Sequence, residues 1–96
     1  MGNRGPSHGY IPEFEWDESN EEKLLRVHGV SAWEVEQCFA NPHTKRRSGD
    51  AMLMLGVTDG GRMLLLAYAQ SPESVRVYSA REMTQTERRT YRRLAR

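Results

Sequence analysis

The first part of the chain alternates between polar turns and apolar positions at helical spacing. Apolar and acidic residues alternate over 14–16, which predicts a short strand. The segment 19–22, Ser-Asn-Glu-Glu, has the form of a capping box, and Asp17 is a competing N-cap. We therefore predict a first helix that runs to about His28. Gly29 suits the left-handed residue that ends a helix.

A second helix is predicted only two residues later. Ser31 and Glu34 form another capping box, and Asn41-Pro42 ends the helical pattern. The apolar positions recur at spacings of three and four and form one stripe, made of Ala32, Val35, Cys38 and Phe39. Cys38 is thus predicted to be a core residue.

From residue 44 the apolar period changes from 3.6 to 2. We predict a polar edge strand over 44–48, followed by two apolar strands over 51–58 and 62–69. Asp-Gly-Gly at 59–61 is typical of a hairpin turn, so the two apolar strands are expected to pair antiparallel. After a second turn, a further strand is predicted over 75–79.

The chain ends in a third predicted helix. Thr84 and Glu87 form its capping box, and Glu87, Tyr91 and Leu94 mark an inward stripe. The order is β-α-α-β-β-β-β-α. This predicts an α+β fold in which two N-terminal helices and a C-terminal helix pack on a mainly antiparallel sheet.

Length and composition indicate one small domain. The chain has 96 residues, of which 38% are hydrophobic and 28% charged, values close to the globular average. We predict a flexible arm over 1–12 and a single domain over 13–96. The longest apolar run, 63–69, is too short to span a bilayer, so we expect a cytoplasmic protein without membrane contact. A lone cysteine, Cys38, excludes an intrachain disulfide.

Charge is distributed unevenly along the chain. Residues 1–44 hold three basic and eight acidic side chains, a net −5, whereas residues 45–96 hold eleven basic and five acidic side chains, a net +6. Such asymmetry indicates an anionic partner for the second half. Equally, the two halves could attract each other within the domain.

Several enzyme classes do not fit the sequence. His28 and His43 are fifteen residues apart and outside any H-x-x-x-H pattern, so we predict no metal and no cofactor. There is no G-x-S-x-G nucleophile elbow. The glycines at 56–61 lie in a hairpin and lack the Lys-Ser/Thr ending of a phosphate-binding loop.

What remains is a set of cations suited to phosphate. It consists of Lys45, Arg46, Arg47, Arg62, Arg76, Arg81 and the arginines of the last helix. Metal-free RNA cleavage by attack of the 2′-hydroxyl needs a base, an acid and cations that stabilise the charged transition state. Arginine and lysine supply the last requirement directly. The cations therefore favour a ribonuclease or an RNA-binding module.

For the base and the acid, the candidates are His28 and either Asp50 or Glu87, provided that burial raises the carboxyl pKa. His28 at a helix end could instead interact with the helix dipole, and Glu87 could serve only as a helix cap. The arginines of the last helix could be a solvated face. Arg81 is predicted to lie in the exposed segment between the last strand and the last helix, where functional groups are common.

The residues also resemble the BrnT family of toxins, the toxin halves of type II toxin-antitoxin systems. The resemblance covers 14–93. It is carried by a Phe14-Glu15-Trp16-Asp17 segment, Asn20, Leu25, His28-Gly29-Val30, Phe39, Leu55-Gly56, Gly61-Arg62, Ser79-Ala80-Arg81, Glu87-Arg88 and Tyr91.

Membership of that family implies a RelE-like fold and a metal-independent ribonuclease that halts translation. It also implies inhibition by a ribbon-helix-helix antitoxin, through which the complex binds its own promoter. Matched residue by residue, the resemblance assigns catalysis to Lys45, Arg47, Asp50 and Arg81, with His28 added from the reasoning on bases above. The RNA-binding residues are predicted to be Arg46, Arg62, Arg76, Arg88 and Arg92. We expect Arg81 to lie close to 45–47, if that segment is the neighbouring edge strand.

Two positions depart from the family pattern, which often has arginine where this chain has Ala51 and Val57. Two functions therefore stay open at this point: a ribonuclease toxin, and a catalytically degenerate module that keeps antitoxin or RNA binding. A DNA-binding role for the last helix is a third interpretation. The sequence shows no helix-turn-helix or zinc spacing that would place this helix in a groove.

Overall fold

The computed structural model describes residues 12–95 and has the predicted α+β organisation. The predicted order of elements is confirmed. The elements are β1 Glu13–Phe14, α1 Glu18–His28, α2 Ala32–Ala40, β2 Thr44–Ser48, β3 Ala51–Val57, β4 Met63–Gln70, β5 Ser74–Glu82 and α3 Gln85–Leu94. The predicted arm, residues 1–12, lies outside the described residues except for Pro12. None of the described helices is long and apolar enough to cross a membrane.

Each of the three helices begins at a capping box. The carboxylate of Asp17 accepts the backbone N–H of Asn20 at 2.8 Å, and the Asn20 side chain accepts the N–H of Asp17 at 2.8 Å. Asp17 is therefore the N-cap of α1, and the alternative start at Ser19 is wrong. Ser31 and Thr84 cap α2 and α3 as predicted. Gly29 ends α1 with φ 70°, the left-handed conformation that glycine adopts without strain.

The five strands form one sheet in the order β1-β5-β4-β3-β2. All neighbours are antiparallel except β1, which runs parallel to β5. The polar strand β2 lies at one edge, as predicted, but β3 and β4 separate it from β5.

One face of the sheet, the core face, is covered by α1 and α2. Met54, Leu64, Leu66 and Tyr68 from the central strands are buried there. From the helices, Leu24, Val35, Cys38 and Phe39 complete this core. Cys38 is thus a core residue, as predicted, and burial raises the pKa of its thiol to about 12.

Helix α2 approaches β3 so closely that only glycine fits at position 56. A Cβ at Gly56 would lie 2.9 Å from the Cβ of Cys38 and 3.4 Å from its carbonyl oxygen. The first distance is shorter than van der Waals contact, so a larger residue would force the helix away from the sheet. The Leu-Gly pair of the family resemblance therefore has a packing reason in this chain.

The other face of the sheet, which we call the open face, is only partly covered by α3. Tyr91 anchors this helix by donating its hydroxyl hydrogen to the carbonyl oxygen of Pro42 at 2.9 Å. The predicted inward stripe of α3 is incomplete, because Leu94 remains 45% exposed. Since α3 buries no residue fully, it leaves a groove between itself and the strands below.

Candidate active site

The groove between α3 and the open face has a volume of about 270 Å³. Its floor is apolar and consists of Leu53 and Leu55 from β3 and Leu65 from β4. One wall is formed by β2, and the other by Glu87, Thr90 and Leu94 of α3. An apolar floor between polar walls is the usual form of a ligand site.

The β2 wall is basic and exposed. Lys45 and Arg46 line the groove, and both are exposed because β2 is an edge strand. Arg46 lies opposite Leu53 and therefore points to the open face. Lys45 lies opposite the core residue Met54, and Arg47 lies opposite Met52, which packs against the core. The side chains of Lys45 and Arg47 are therefore both directed to the core face, although Lys45 borders the groove.

The α3 wall contains a carboxylate, Glu87, that is paired with Arg81 of β5. Arg81 donates from Nη1 to Oε1 of Glu87 and from Nη2 to Oε2, both at 2.8 Å. Glu87 also accepts the backbone N–H of Thr84 at 2.8 Å, so the same carboxylate caps α3. The side chain of Arg81 is 51% exposed and that of Glu87 is 24% exposed. The pair therefore stands at the border between the groove and solvent.

The pKa of Glu87 moves in the direction opposite to the one that acid catalysis requires. The hydrogen bonds from Arg81 lower the pKa of Glu87 to about 2; partial burial opposes this shift, and the Thr84 N–H adds to it. The same pair raises the pKa of Arg81. The expectation that burial raises the pKa of Glu87 is thus wrong, because the ion pair outweighs desolvation. Glu87 is a carboxylate at neutral pH.

The sequence predicts Arg81 in a loop after the last strand, but the structure places it within β5. Leu65 pairs with Arg81 and Leu64 with Glu82, so the strand continues beyond the predicted end at residue 79. An irregularity in the β4–β5 register between Ala67 and Tyr68 precedes this stretch. Arg81 shares the open face with Leu65, while Glu82 shares the core face with Leu64.

The expected closeness of Arg81 to 45–47 is not found. With β3 and β4 in between, three strand spacings of about 4.8 Å place β2 about 14 Å from β5. What connects them is Glu87, which holds Arg81 and lines the same groove as Lys45 and Arg46. The β2 wall therefore presents a cation, Arg46, and the carboxylate of the α3 wall holds a second cation, Arg81, beside the groove.

Two other candidates lie away from the groove. Asp50 is exposed in the turn between β2 and β3. This turn lies at one end of the sheet, whereas Arg81 pairs with Leu65 near the other end. His28 ends α1, a helix whose Leu24 belongs to the core beneath the other face of the sheet. The structure does not bring Asp50 or His28 together with Arg81.

Two predicted RNA-binding arginines are held in ion pairs. Arg62 contacts Glu34 at 3.0 Å and Glu82 at 2.9 Å. Arg76 contacts Asp17 at 3.1 Å, and this bond contributes to the lowered pKa of Asp17, after the Asn20 N–H. Both arginines therefore connect elements of the fold.

The arginines of α3 present a different arrangement. Arg88, Arg89, Arg92 and Arg93 are exposed. Within residues 12–95 none of them forms a salt bridge. The predicted RNA-binding residues Arg88 and Arg92 are thus accessible to an anion, as is Arg46.

Sequence reasoning missed the apolar floor of the groove. Both central strands are apolar on both faces. In β3 the leucines Leu53 and Leu55 lie on the open face and methionines lie on the core face. In β4, Leu65 lies on the open face and Leu64 and Leu66 lie on the core face. A strand that is apolar on both sides indicates cover on both sides. That pattern could have predicted that α3 packs opposite to α1 and α2.

Among the described residues, no group of three or more His, Cys, Asp or Glu side chains is arranged to hold a metal ion. Within residues 12–95, the two histidines, Cys38 and the acidic residues are spread over several helices, strands and turns. The groove is lined by cations, threonines, leucines and one carboxylate.

Comparison with known protein families gives a match over most of the chain. The model of the family described as "Ribonuclease toxin, BrnT, of type II toxin-antitoxin system" matches residues 16–87. These residues run from the aromatic segment after β1 to the carboxylate that holds Arg81. No curated protein shows a significant match. The chain therefore belongs to the BrnT family, the ribonuclease toxins of type II toxin-antitoxin systems.

Proposed function

We propose that this chain is a metal-independent endoribonuclease that cleaves RNA in the groove between α3 and the open face. The observation that carries the proposal is that Glu87 on one wall holds Arg81 beside the groove, across from Arg46 on the other wall. A guanidinium that binds a carboxylate through two N–H groups has the geometry that a phosphate also takes. Arg81 is thus prepared for an RNA phosphate.

Binding of a phosphate requires Arg81 to exchange one anion for another. The guanidinium gives up the oxygens of Glu87 and donates to two phosphate oxygens instead, while Arg46 holds the strand from the opposite wall. Glu87 keeps its hydrogen bond from the Thr84 N–H, so α3 stays capped. Exposure of the Arg81 side chain makes this exchange accessible from solvent.

The exchange also changes the basicity of Glu87. Arg81 is the first cause of its low pKa, so the pKa rises toward the ordinary value once Arg81 turns to the phosphate. Glu87 then accepts the proton of the 2′-hydroxyl, the 2′-oxygen bonds to phosphorus, and the bond from phosphorus to the 5′-oxygen breaks. The leaving 5′-oxygen takes up a proton from solvent water, and Glu87 returns the proton that it accepted to solvent. The products are a 2′,3′-cyclic phosphate and a 5′-hydroxyl, and Arg81 stabilises the charge of the transition state.

The biological setting follows from the family. A type II toxin has a protein antitoxin, and we propose a ribbon-helix-helix antitoxin that binds the promoter for the complex. RNA cleavage in the cytoplasm would halt translation. The basic second half of the chain supports RNA as the target, because its net charge is +6.

A second candidate function is a degenerate module that binds RNA or antitoxin without cleavage. Ala51 and Val57 favour the degenerate module, because the family pattern often has arginine at these two positions. Both positions belong to β3 and share the parity of Leu53 and Leu55, which places them on the open face at either end of the groove floor. Arginine at these positions would add cations to the same surface.

Expression in a bacterial host separates the two functions. We expect induction of the parent chain to stop growth and to shorten messenger RNA, and Arg81→Ala to be harmless at equal protein level. If the parent is harmless, the degenerate module is favoured. Val57→Arg and Ala51→Arg are then the first variants in which to look for restored cleavage.

A further inference from the structure

A second depression lies on the outer side of α3. It is lined by three arginines and two threonines, which are Thr86, Arg89, Thr90, Arg92 and Arg93. The spacings of three and four residues place them on one face of the helix. None of its arginines has a carboxylate partner within residues 12–95. The depression therefore concentrates positive charge that the fold does not neutralise.

The arginines of this depression repel one another and so destabilise helix α3. Arg89 and Arg93 are four residues apart, and Arg89 and Arg92 are three apart, so like charges are neighbours. Each such pair destabilises a helix by about 0.2–0.5 kcal/mol. Arg89 is held by the hydroxyl of Thr86, which accepts from its Nη2 at 3.3 Å. A polyanion would relieve the repulsion and find one guanidinium already oriented.

The two depressions meet at one shared residue, Thr90. Thr90 lines both the groove and the outer depression, so a strand that leaves the groove over Thr90 reaches Arg89 and Arg93 directly. Arginine and threonine side chains are common phosphate ligands. The shared residue favours a nucleic-acid backbone over an acidic peptide, because the same strand would occupy both depressions.

We infer that Thr86, Arg89 and Arg93 form an accessory subsite for backbone phosphates of single-stranded RNA that flank the cleaved bond. The inference rests on the proposed function of the groove. A helix of ten residues is about 15 Å long, so the subsite is reached only by an RNA of several nucleotides. A dinucleotide fills the groove alone.

The test measures binding of 2′-O-methyl oligoribonucleotides, which cannot be cleaved because the attacking hydroxyl is blocked. We compare a dinucleotide with an oligomer of about 12 nucleotides, each over a series of salt concentrations. The variant is Arg89→Gln with Arg93→Gln, since glutamine keeps helix propensity. The matched control is Lys23→Gln with Arg26→Gln, which removes the same charge from exposed positions on α1.

We expect the α3 variant to bind the oligomer about tenfold more weakly at low salt, and to lower the slope of log Kd against log salt by about 1.4. Dinucleotide binding and the α1 control should match the parent. The inference is overturned if the α3 variant binds the oligomer like the parent, or if the α1 control loses as much. An acidic peptide as the true ligand would show as lost antitoxin capture with unchanged RNA binding.

Arg46→Gln distinguishes this subsite from the groove. If that variant weakens both probes while the α3 variant weakens neither, the groove stands and the subsite is wrong. If the α3 variant weakens the oligomer but Arg46→Gln changes nothing, the subsite binds RNA and the proposed role of the groove fails.

Discussion

Arg62 and Arg81 lie at the same end of the sheet but on opposite faces, and their surroundings differ. Arg62 contacts Glu34 of α2 and Glu82 of β5, and it donates to the carbonyl oxygen of Gly29 at 3.0 Å. Arg81 contacts one carboxylate, Glu87, and donates from Nη1 to the carbonyl oxygen of the adjacent Glu82 at 3.0 Å. The Arg62 side chain is 34% exposed, against 51% for Arg81.

The number of carboxylate partners distinguishes an arginine that stabilises the fold from one that can bind a phosphate. Arg62 connects the end of α1, the start of α2 and the end of β5, so a phosphate would have to displace three groups. Its pKa is raised first by the hydrogen bond with Glu34 and then by the one with Glu82. Arg81 has only one carboxylate to exchange, and that carboxylate lines the groove. The same residue type thus connects elements of the fold on the core face and, in the proposed function, binds the RNA phosphate on the open face.

The largest effect is expected for Arg81→Ala. Loss of one preorganised charge donor lowers the rate by about 10²–10³. The melting temperature should fall by only a few degrees, because the side chain is half exposed. The measurement is single-turnover cleavage of RNA at saturating protein, with Arg26→Ala as a control for a lost exposed cation. An unfolded Arg81→Ala protein would instead make Arg81 structural like Arg62.

Arg62→Gln should have the opposite effect: it should lower stability and leave RNA binding unchanged. We expect the free energy of unfolding to fall by about 2 kcal/mol, because Glu34 and Glu82 lose hydrogen bonds to a charged partner. The salt dependence of RNA binding should stay that of the parent. Urea titration and filter binding provide both readouts. A stable variant with weakened RNA binding would restore Arg62 to the RNA-binding residues that the sequence predicts.

Glu87→Gln tests whether the carboxylate of Glu87 competes with an RNA phosphate for Arg81. Glutamine keeps the capping box but no longer competes with phosphate for Arg81. Because exposed pairs contribute up to about 1 kcal/mol, we expect binding of uncleavable RNA to tighten up to about fivefold. Cleavage should slow, since the proposed base is lost. Glu82→Gln, on the core face, is the matched control, and equal tightening there would contradict competition at Arg81.

The smallest effect is the pH dependence of the Arg81–Glu87 pair. The folded pKa of Glu87, about 2, is below its ordinary value of 4.5. The pair therefore stabilises the fold above pH 4.5, and this contribution is lost as the pH falls toward 2. The difference in melting temperature between parent and Glu87→Gln should be constant from pH 7 to about 5 and shrink below that. A difference that grows in acid would contradict the ion pair.

The elements of this fold were predictable because their determinants are local. The boxes at Ser31 and Thr84, the stop at Asn41-Pro42 and the change of period at residue 44 each act within a few residues. The buried position of Cys38 followed from helical spacing alone. Even the error at Ser19 was local, since Asp17 competes for the same turn.

The site was less predictable because it depends on pairing between distant strands. Nothing near β2 shows that two strands separate it from β5, and an irregularity at Ala67/Tyr68 is needed before Arg81 can pair with Leu65. The ion pairs of Arg62 and Arg76 join residues that are far apart in sequence. Charge alone predicts RNA binding for the cations of β2 and α3. The structure adds which of the described cations are held by carboxylates, namely Arg62, Arg76 and Arg81.

The most direct test is incubation of the purified chain with end-labelled RNA in the presence of EDTA, with analysis of the product ends. We expect cleavage that EDTA leaves unchanged, that yields 2′,3′-cyclic phosphate and 5′-hydroxyl ends, and that is lost in Arg81→Ala but kept in Arg26→Ala. Intact RNA would contradict the proposed activity. Cleavage that stops in EDTA and returns with a divalent ion, or equal cleavage by Arg81→Ala, would contradict the role given to the groove.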